Sequence, residues 1–507
     1  MGKKAKRTAS DERATGGSGA GEEFELKLDV EPASLDALMR SPWLNSDAAV
    51  DRAQESVYFD TPDRALNAAG FSLRVRTIGD RHIETVKAEG AAAAGLFVRP
   101  EWERTIDRAE PVLDGSPLRG VIAEAELERI GRAFAVSVMR KTVLVERPGA
   151  SIELVFDRGT IRAGDRAAPV HEIELELKHG DAAALFAFAR EIDETAPVRL
   201  GVLTKSERGY RLGTALPDKP AKAAPLALDA DATTRAGFQA IVGACLRQFR
   251  LNEAILMRTG SGGALHQARV ALRRLRSALS TFRHVVDDDR YDPLRIELRW
   301  IAAALGEARN LDVLLERIDD DAAAAPLRAA HGRAYADVQT ALASARLRHA
   351  MLDLSEWTAI GAWLSDPATP DARDQPIAAF AATALERHRR RLKRLGRKLD
   401  RVDDAQRHAA RIEAKKLRYA TEFFAGLFGG KKATRRHKAF SAALETLQTQ
   451  LGDLNDLATA PQVLADLDLL GTPTAFALQP DLSRRGPLLD RAVDAYDQLM
   501  DSKPFWR

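Results

Sequence analysis

The chain has 507 residues, a formal net charge of +3 and a single cysteine, Cys245. This length exceeds the usual limit for one hydrophobic core, so we expect two domains. One cysteine excludes an internal disulfide, and the sequence shows neither a signal peptide nor an apolar run long enough to span a bilayer. We therefore expect a cytoplasmic protein with no membrane partner.

The charge is unevenly divided along the chain. Residues 1–233 contain 33 Lys and Arg against 39 Asp and Glu, whereas the remainder contains 43 against 34. Between residues 213 and 229 the composition turns to Pro, Lys, Ala and Asp without periodicity, which is typical of a linker. We expect a disordered basic tail at 1–21, an acidic strand-rich domain at 22–212, this linker, and a basic helical domain at 230–507.

The first domain is predicted to consist mostly of antiparallel strands, because the turns between them are too short for helical crossovers. Two helices are expected to interrupt the strands, near residues 33–40 and 181–194. The predicted fold class is α+β with an eight-stranded antiparallel β-barrel. The strands are expected near residues 22–29, 55–60, 71–78, 82–88, 97–106, 136–146, 151–162 and 170–178.

Charged side chains alternate with apolar ones in two of these strands. In the segment 23–27, EFELK, three charges fall on one face, because successive residues of a strand point to opposite faces. The segment 172–178, EIELELK, repeats the pattern with three carboxylates. Carboxylates at this density need cations, either hard metal ions or nearby basic side chains. An ordinary solvated sheet face is the alternative.

Basic residues also occur at strand spacing in this domain. Arg74 and Arg76 share one face of a strand, Arg140 opens a later strand, and Lys205 follows the final helix. Such cations could converge on a polyanion, whose oxygens suit Arg forks and Lys point charges. The cations that could converge in this way are Lys27, Arg74, Arg76, Lys87, Arg140 and Lys205.

Three further charged residues in this domain need separate treatment. Glu101 and Glu103 share a strand face, and they could lie either in the interior of the predicted barrel or in an exterior ion pair. Lys141 adjoins Arg140 in a predicted strand, so it must point the opposite way. We therefore assign only Arg140 to the interior.

This domain resembles the CYTH domains, which belong to the triphosphate tunnel metalloenzymes. The resemblance covers roughly residues 22–212. It is carried, in order, by EFELK at 23–27, YFDTPD at 58–63, FSLRVR at 71–76, TVK at 85–87, HEIELELK at 171–178 and KSERGY at 205–210.

The resemblance implies an eight-stranded tunnel that binds a linear triphosphate and hydrolyses a terminal phosphoryl group with Mg²⁺ or Mn²⁺. It places the six cations named above on phosphate oxygens. The general base toward the attacking water is expected to be Glu23 or Glu25, with Lys27 as the third catalytic residue. A cationic tunnel suits this reaction, because phosphoryl transfer depends on positioning and on neutralising oxygen charge. The implied metal ligands are Glu23, Glu25, Asp157, Glu174 and Glu176.

The second domain is predicted to be helical and contains an internal repeat. A histidine and three cations recur at spacings of 3, 4 and 3 residues, which places each quartet on one stripe of a helix. Related segments follow each stripe, LGEARN at 305–310 and LGDLND at 451–456. A solvated helix face is the alternative. The two quartets are His266, Arg269, Arg273 and Arg276, and His408, Arg411, Lys415 and Arg418.

This half resembles the CHAD domain, the conserved histidine α-helical domain, over about residues 230–507. The resemblance implies two pseudo-repeated helical bundles that bind long-chain inorganic polyphosphate through the two quartets. Metal binding by His266 and His408 is less favoured, because neither stripe carries a further ligand at suitable spacing. Few aromatic residues lie among the cations, which argues against nucleic acid as the partner.

The combined prediction is a metal-dependent inorganic triphosphatase that cleaves tripolyphosphate to pyrophosphate and phosphate. The helical domain would bind polyphosphate, which could place the enzyme at polyphosphate granules. The alternatives are a polyphosphate-binding scaffold with little turnover, a nucleoside or thiamine triphosphatase, and an adenylate cyclase of the class IV type.

Overall fold

A computed structural model describes residues 24–88, 92–93, 96–97, 101–214, 218–467 and 469–507. The predicted basic tail and Glu23 lie outside these residues. The first domain contains eleven described strands: β1 (Glu25–Val30), β2 (Val50–Asp60), β3 (Phe71–Ile78), β4 (Arg81–Ala88), β5 (Ala92–Ala93), β6 (Leu96–Phe97), β7 (Glu101–Ile106), β8 (Gly131–Arg147), β9 (Ala150–Ala163), β10 (Arg166–Gly180) and β11 (Val198–Leu200).

Five helices accompany these strands, and α4 and α5 bear on the site. The helices are α1 (Leu35–Met39), α2 (Ala65–Ala68), α3 (Glu124–Leu127), α4 (Ala183–Thr195) and α5 (Lys205–Leu212). The predicted helices near 33–40 and 181–194 correspond to α1 and α4. Two local predictions were wrong: Lys205 does not follow the final helix of this domain but begins α5, and Arg140 does not open its strand but lies within β8.

The strands form one antiparallel sheet in the order β5, β6, β1, β10, β9, β8, β2, β3, β4, β7, and β11 also pairs with β1. Among the described residues β5 and β7, at the two ends of this path, do not pair with each other. The register places Glu25 opposite Glu176 and Lys27 opposite Glu174. The charged positions of β1 and β10 therefore share one face of the sheet.

The other face of these strands is apolar and fully buried. Leu26 and Leu28 of β1 alternate with the charged residues, and so do Ile173 and Leu175 of β10. They belong to the same core cluster as residues of α4 and of the helical domain. The hydrophobic effect thus fixes the register, since a shift by one residue would bury the charges and expose the aliphatic side chains.

The second domain is helical throughout its described residues. Most of its long helices begin at a capping side chain, as at Thr233, Ser261 and Asp403, each of which accepts a backbone N–H in the first turn. The helices are α6 (Thr234–Thr259), α7 (Gly262–Val286), α8 (Tyr291–Ala304), α9 (Gly306–Leu315), α10 (Asp321–Ala343), α11 (Ala345–Ile360), α12 (Pro370–Asp374), α13 (Ile377–Leu395), α14 (Asp404–Phe424), α15 (Lys431–Asp466), α16 (Pro473–Ala477) and α17 (Arg485–Asp501).

The two domains share an interface that contains buried ion pairs. Arg348 on α11 bonds both oxygens of Asp193 on α4, at 2.6 and 3.0 Å. Arg199 on β11 bonds Glu253 on α6 at 2.6 Å. Breaking such buried pairs is costly because it leaves an uncompensated charge, so the domains dock in a defined orientation. No described helix has both the length and the apolar content needed to cross a membrane.

Candidate functional site

The charged face of the sheet surrounds a cavity of about 320 Å³. Eight of the strands, β1 to β4 and β7 to β10, contribute to its wall, together with the start of α5. Its charged lining residues are Glu25, Lys27, Arg74, Arg76, Lys87, Glu101, Glu103, Arg140, Glu153, Asp157, Glu174, Glu176 and Lys205.

A group of three carboxylates forms the most buried part of this site. Asp157, Glu172 and Glu174 present oxygen atoms that all lie within 4.8 Å of one another. The Lys205 ammonium lies among them, 2.7 Å from Asp157 and 3.0 Å from Glu174, and it also contacts Glu172. Burial alone would lower the pKa of Lys205, but the three carboxylates outweigh it and raise that pKa. Lys205 is therefore charged at neutral pH.

Three further cations bind the same carboxylates, and one of them, Arg208 of α5, donates to Glu172 at 3.1 Å. Lys27 donates to Glu174 at 2.6 Å and also contacts Glu25. Arg140 donates to Asp157 at 2.5 and 2.8 Å and to Glu174 at 2.9 Å. Burial opposes ionisation of Glu174, yet Lys205, Lys27 and Arg140 hold its pKa well below the usual range. The network is therefore a set of charges that neutralise one another.

Arg74 and Arg76, which line the cavity from β3, lack comparable partners. Arg74 lies 3.6 Å from Glu101, and the Nε atoms of both arginines are buried without a hydrogen-bond partner. Repulsion by Arg74, together with burial, lowers the pKa of Arg76 to about 10. Buried donors that repel each other are destabilising unless an anion joins them. This wall of the cavity therefore suits an anionic ligand.

The remaining cation of the predicted set is bound to an acidic residue of β7. Lys87 donates to Glu101 at 2.7 Å, and Thr85 donates to Glu103 at 3.3 Å. Glu101 and Glu103 both line the cavity, so of the two alternatives the interior position applies. Lys141 pairs with Asp51 at 3.0 Å and does not line the cavity, as its neighbour Arg140 does.

Local structure at the start of α5 holds Lys205 in place. Thr204 caps the helix in a capping box: its hydroxyl accepts the Glu207 N–H, and the Glu207 carboxylate accepts the Thr204 N–H at 2.8 Å. Gly209 packs so closely on Phe134 of β8 that a Cβ atom would lie 2.1 Å from the ring. The glycine thus allows α5 to approach the sheet, and Lys205 reaches the carboxylates.

The structure separates the predicted metal ligands into two places. Asp157 and Glu174 belong to the three-carboxylate group, whereas Glu25 and Glu176 line the cavity without joining that group. Glu172, which the sequence prediction omitted, completes the group. Its signal was available, because Glu172 and Glu174 have the same parity on β10 and so share a face.

These three side chains fit a divalent cation such as Mg²⁺ or Mn²⁺. Hard cations prefer oxygen ligands, and carboxylate oxygens converging from β9 and β10 supply them. Lys205 and Arg140 balance the same oxygens in this structure. A metal ion would therefore compete with these two cations for the carboxylates.

The repeated stripes of the helical domain border a second cavity, of about 370 Å³. It lies between α7, α8 and α14, and its wall includes Arg273 and Arg276 from the first stripe and Lys415 from the second. The Nε atoms of Arg273 and Arg411 are buried without a hydrogen-bond partner, whereas that of Arg418 lies 3.4 Å from a carboxylate oxygen of Glu422. Of these three arginines only Arg273 lines the cavity. Three further cations of this wall were absent from the predicted set: Arg295, Arg299 and Lys416.

The two stripes are close in space, because cations of both line this cavity. Burial, reinforced by Arg411 and Arg273, lowers the pKa of Lys415 to about 8. Burial also lowers the pKa of Arg269 to about 10, with Arg273 and Arg309 adding to the effect. Cations that destabilise one another in this way gain from a bound polyanion.

The two histidines of the stripes lie outside the cavity lining. His408 contacts Asn455 through Nδ1 at 2.7 Å. Burial and Arg309 lower the pKa of His266, so this imidazole is less readily protonated than an exposed one. The segments that follow each stripe thus supply a neighbour to each histidine, Arg309 to His266 and Asn455 to His408.

Fold and site together define a two-domain protein with an ion-paired cavity in a β-domain and a cationic cavity in a helical domain. Family models match the CYTH domain at residues 21–210 and the CHAD domain at residues 240–465. The chain therefore contains a CYTH domain followed by a CHAD domain.

Comparison with individual proteins gives the following relatives. An inorganic triphosphatase from Haemophilus influenzae is 32% identical over 161 residues, which is 31% of this chain and 46% of that protein. The chain thus spans less than half of that relative. The CHAD domain from the plant Ricinus communis is 32% identical and aligns over 56% of this chain and 97% of its own, with a TM-score of 0.47. A Hippeastrum protein described as a candidate adenylyl cyclase with a dominant triphosphatase activity is 18% identical over 38% of this chain and 98% of its own, with a TM-score of 0.32.

Proposed function

We propose that the protein is a metal-dependent inorganic triphosphatase that cleaves tripolyphosphate to pyrophosphate and phosphate. The observation that carries this proposal is the pair Arg74 and Arg76, which line a cavity shared with carboxylates and whose buried Nε atoms have no hydrogen-bond partner. A linear polyanion would supply acceptors to both arginines. The eight strands that contribute to the cavity wall would enclose such a chain.

The proposed chemistry divides the cavity between anion binding and metal binding. Arg74, Arg76 and Lys87 would hold phosphate oxygens on one wall, while Lys27, Arg140 and Lys205 would hold them on the other. Asp157, Glu172 and Glu174 would bind Mg²⁺ or Mn²⁺, which neutralises phosphate charge when bound. Glu25, beside Lys27 in the cavity, is the described candidate for the general base.

Protonation states limit which residue can act as an acid. Burial opposes ionisation of Asp157, but Lys205 and Arg140 lower its pKa, and the pKa of Glu174 is lowered as well. Both carboxylates are therefore ionised at neutral pH, and neither donates a proton to the leaving phosphate there. They serve to bind cations.

Phosphate release from tripolyphosphate with Mg²⁺ or Mn²⁺ tests this proposal. Arg76→Met should lower kcat/KM by roughly 10–100-fold, since a hydrogen bond to a charged group contributes about 1.5–3 kcal/mol. Lys141→Met is the matched control, because Lys141 lies on the outer face of the sheet and should leave turnover unchanged. Absence of phosphate release with every divalent metal would refute the proposal. In that case binding without turnover would favour the scaffold alternative.

We also propose that the CHAD domain binds long-chain polyphosphate between α7, α8 and α14, which could hold the enzyme at polyphosphate granules. The repeated stripes would contribute from both pseudo-repeated bundles. The buried, unpartnered Nε atom of Arg273, which lines this cavity, supports the proposal. Binding of labelled polyphosphate should weaken in Arg273→Met and not in Arg235→Met, whose side chain pairs with Asp374 outside this cavity.

A further inference from the structure

We infer that Arg247, on helix α6 of the CHAD domain, is a positioning residue for Lys205 in the cavity of the CYTH domain. The activity part of this inference rests on the proposed triphosphatase function, and its structural part does not. It makes the CHAD domain a component of the CYTH site.

The Arg247 guanidinium bridges the two ends of the turn that leads into α5. Its Nη1 donates to the Val202 carbonyl at 2.5 Å, and its Nη2 lies 2.7 Å from Oε1 of Glu207. The other oxygen of Glu207, Oε2, accepts the Thr204 N–H at 2.8 Å. Arg247 therefore contacts both the segment before Lys205 and the carboxylate of the capping box that starts its helix.

Lys205 is the first residue of α5, so its Cα position follows the capping box directly. From there its ammonium reaches the group of three carboxylates, at 2.7 Å from Asp157 and 3.0 Å from Glu174. Positioning of a few tenths of an ångström matters at these contact lengths, because charge-assisted hydrogen bonds are short and directional. A displacement of the start of α5 would therefore move the Lys205 ammonium relative to the carboxylates, even with the sheet unchanged.

A second arginine of α6 supports the same segment one turn further on. Arg250 donates through Nε to the Leu200 carbonyl at 2.9 Å. The next residue, Gly201, donates its N–H to the Lys27 carbonyl at 2.7 Å. The segment held by Arg247 and Arg250 thus bonds to the backbone of one cavity lysine and leads to the other.

The exposure of Arg247 separates positioning from simple stabilisation. Its side chain is 37% exposed, and exposed ion pairs of this kind contribute about 0–1 kcal/mol to stability. A purely structural role therefore predicts a small change in the free energy of unfolding and a proportionately small change in kcat. A positioning role predicts a loss of turnover without a matching loss of stability.

The test compares Arg247→Met, Arg247→Lys and the control Arg235→Met in the full-length chain. We expect amide hydrogen exchange across residues 201–208 to rise about fivefold in Arg247→Met while exchange in α4 stays unchanged. We expect kcat for tripolyphosphate to fall about tenfold with a melting temperature within about 2 °C of wild type. Arg247→Lys should recover part of kcat, because an ammonium can keep one of the two contacts. Arg235→Met should match wild type in both measurements.

The outcomes distinguish this inference from the proposed function. Unchanged exchange at 201–208 in Arg247→Met would overturn the inference, as would a kcat within twofold of wild type or a loss of activity that tracks a loss of stability. If the wild-type chain releases no phosphate with any metal, the proposed function fails and the exchange measurement alone decides the inference.

Discussion

Glu174 joins more cations of the CYTH cavity than any other described carboxylate, so its substitution gives the sharpest test of the network. It accepts from Lys27 at 2.6 Å, Arg140 at 2.9 Å and Lys205 at 3.0 Å. Glu174→Gln keeps the shape and removes the charge. Removing one partner of a buried ion pair costs about 3–5 kcal/mol, and the lower end applies here because the cavity admits solvent. A loss of about 3 kcal/mol lowers the melting temperature of a domain of this size by roughly 6–12 °C.

Thermal unfolding at neutral pH measures this effect, with Glu176→Gln as the matched control. Glu176 lies two residues along the same face of β10, and its described ion pair is to Lys178 alone. We expect the control to shift the melting temperature by less than about 2 °C, as for an exposed pair. Added tripolyphosphate without metal should stabilise Glu174→Gln more than wild type, because it restores the lost negative charge. A melting temperature for Glu174→Gln equal to that of the control would refute the reasoning.

The difference in melting temperature between wild type and Glu174→Gln should depend on pH, in the direction set by the pKa shift of Glu174. The folded pKa of Glu174 is depressed below its ordinary value of 4.5. A depressed carboxyl pKa contributes stability above the unfolded pKa and loses it as the pH falls through the folded pKa. The difference in melting temperature between wild type and Glu174→Gln should therefore be largest at neutral pH and should decrease on acidification below about pH 4.5. A gap that widens on acidification would contradict the assignment.

Three further outcomes are expected. Gly209→Ala should lower the free energy of unfolding by about 1–3 kcal/mol in urea, because its Cβ would lie 2.1 Å from Phe134; a wild-type midpoint would show that α5 is less tightly packed. Polyphosphate affinity should fall about tenfold from pH 7 to pH 9, since Lys415 with a pKa of about 8 must take up a proton to bind, and Lys415→Arg should remove this dependence; a pH-independent wild type would contradict it. Arg273→Met should reduce the slope of log affinity against log salt by about one, and an unchanged slope would remove Arg273 from the site.

The side chains that share a face of one strand could be predicted from sequence, because the alternation of side chains along a strand is a local property. Alternation grouped the charges within each strand, as for Arg74 and Arg76. The resemblance to CYTH domains placed Lys27, Glu174 and Arg76 in one site, and all three line the same cavity. Alternation does not show which of the carboxylates on one face of a strand belong to a metal-binding group. Glu172 was omitted for that reason. Its place in the group depends on tertiary contacts with Asp157 on β9 and Lys205 on α5.

Pairing between elements could not be predicted, because it depends on tertiary contacts. Nothing local to EFELK shows that Lys27 would bond Glu174, which lies 147 residues away. Similarly, the two helical stripes were visible as a repeat, whereas Arg295 and Arg299 reach the same cavity from α8 only after the helices pack. Arg247 had no sequence signal, since its two partners belong to the other domain.

The two cavities hold their cations in physically different ways, and this difference sets what each can bind. In the CYTH cavity the cations Lys27, Arg140 and Lys205 are balanced by carboxylates, whereas the Nε atoms of Arg74 and Arg76 lack hydrogen-bond partners. The long-range field is therefore weaker than in the CHAD cavity, and a ligand must replace existing contacts at the first three cations. The described wall of the CHAD cavity contains cations and no carboxylate, and burial followed by repulsion from Arg411 and Arg273 lowers the pKa of Lys415, so the field reaches into solvent. A polyanion should therefore associate with the CHAD domain rapidly and with strong salt dependence. Binding in the CYTH cavity should depend less on salt and more on geometry, because an anion gains there only by fitting donors that are already in place.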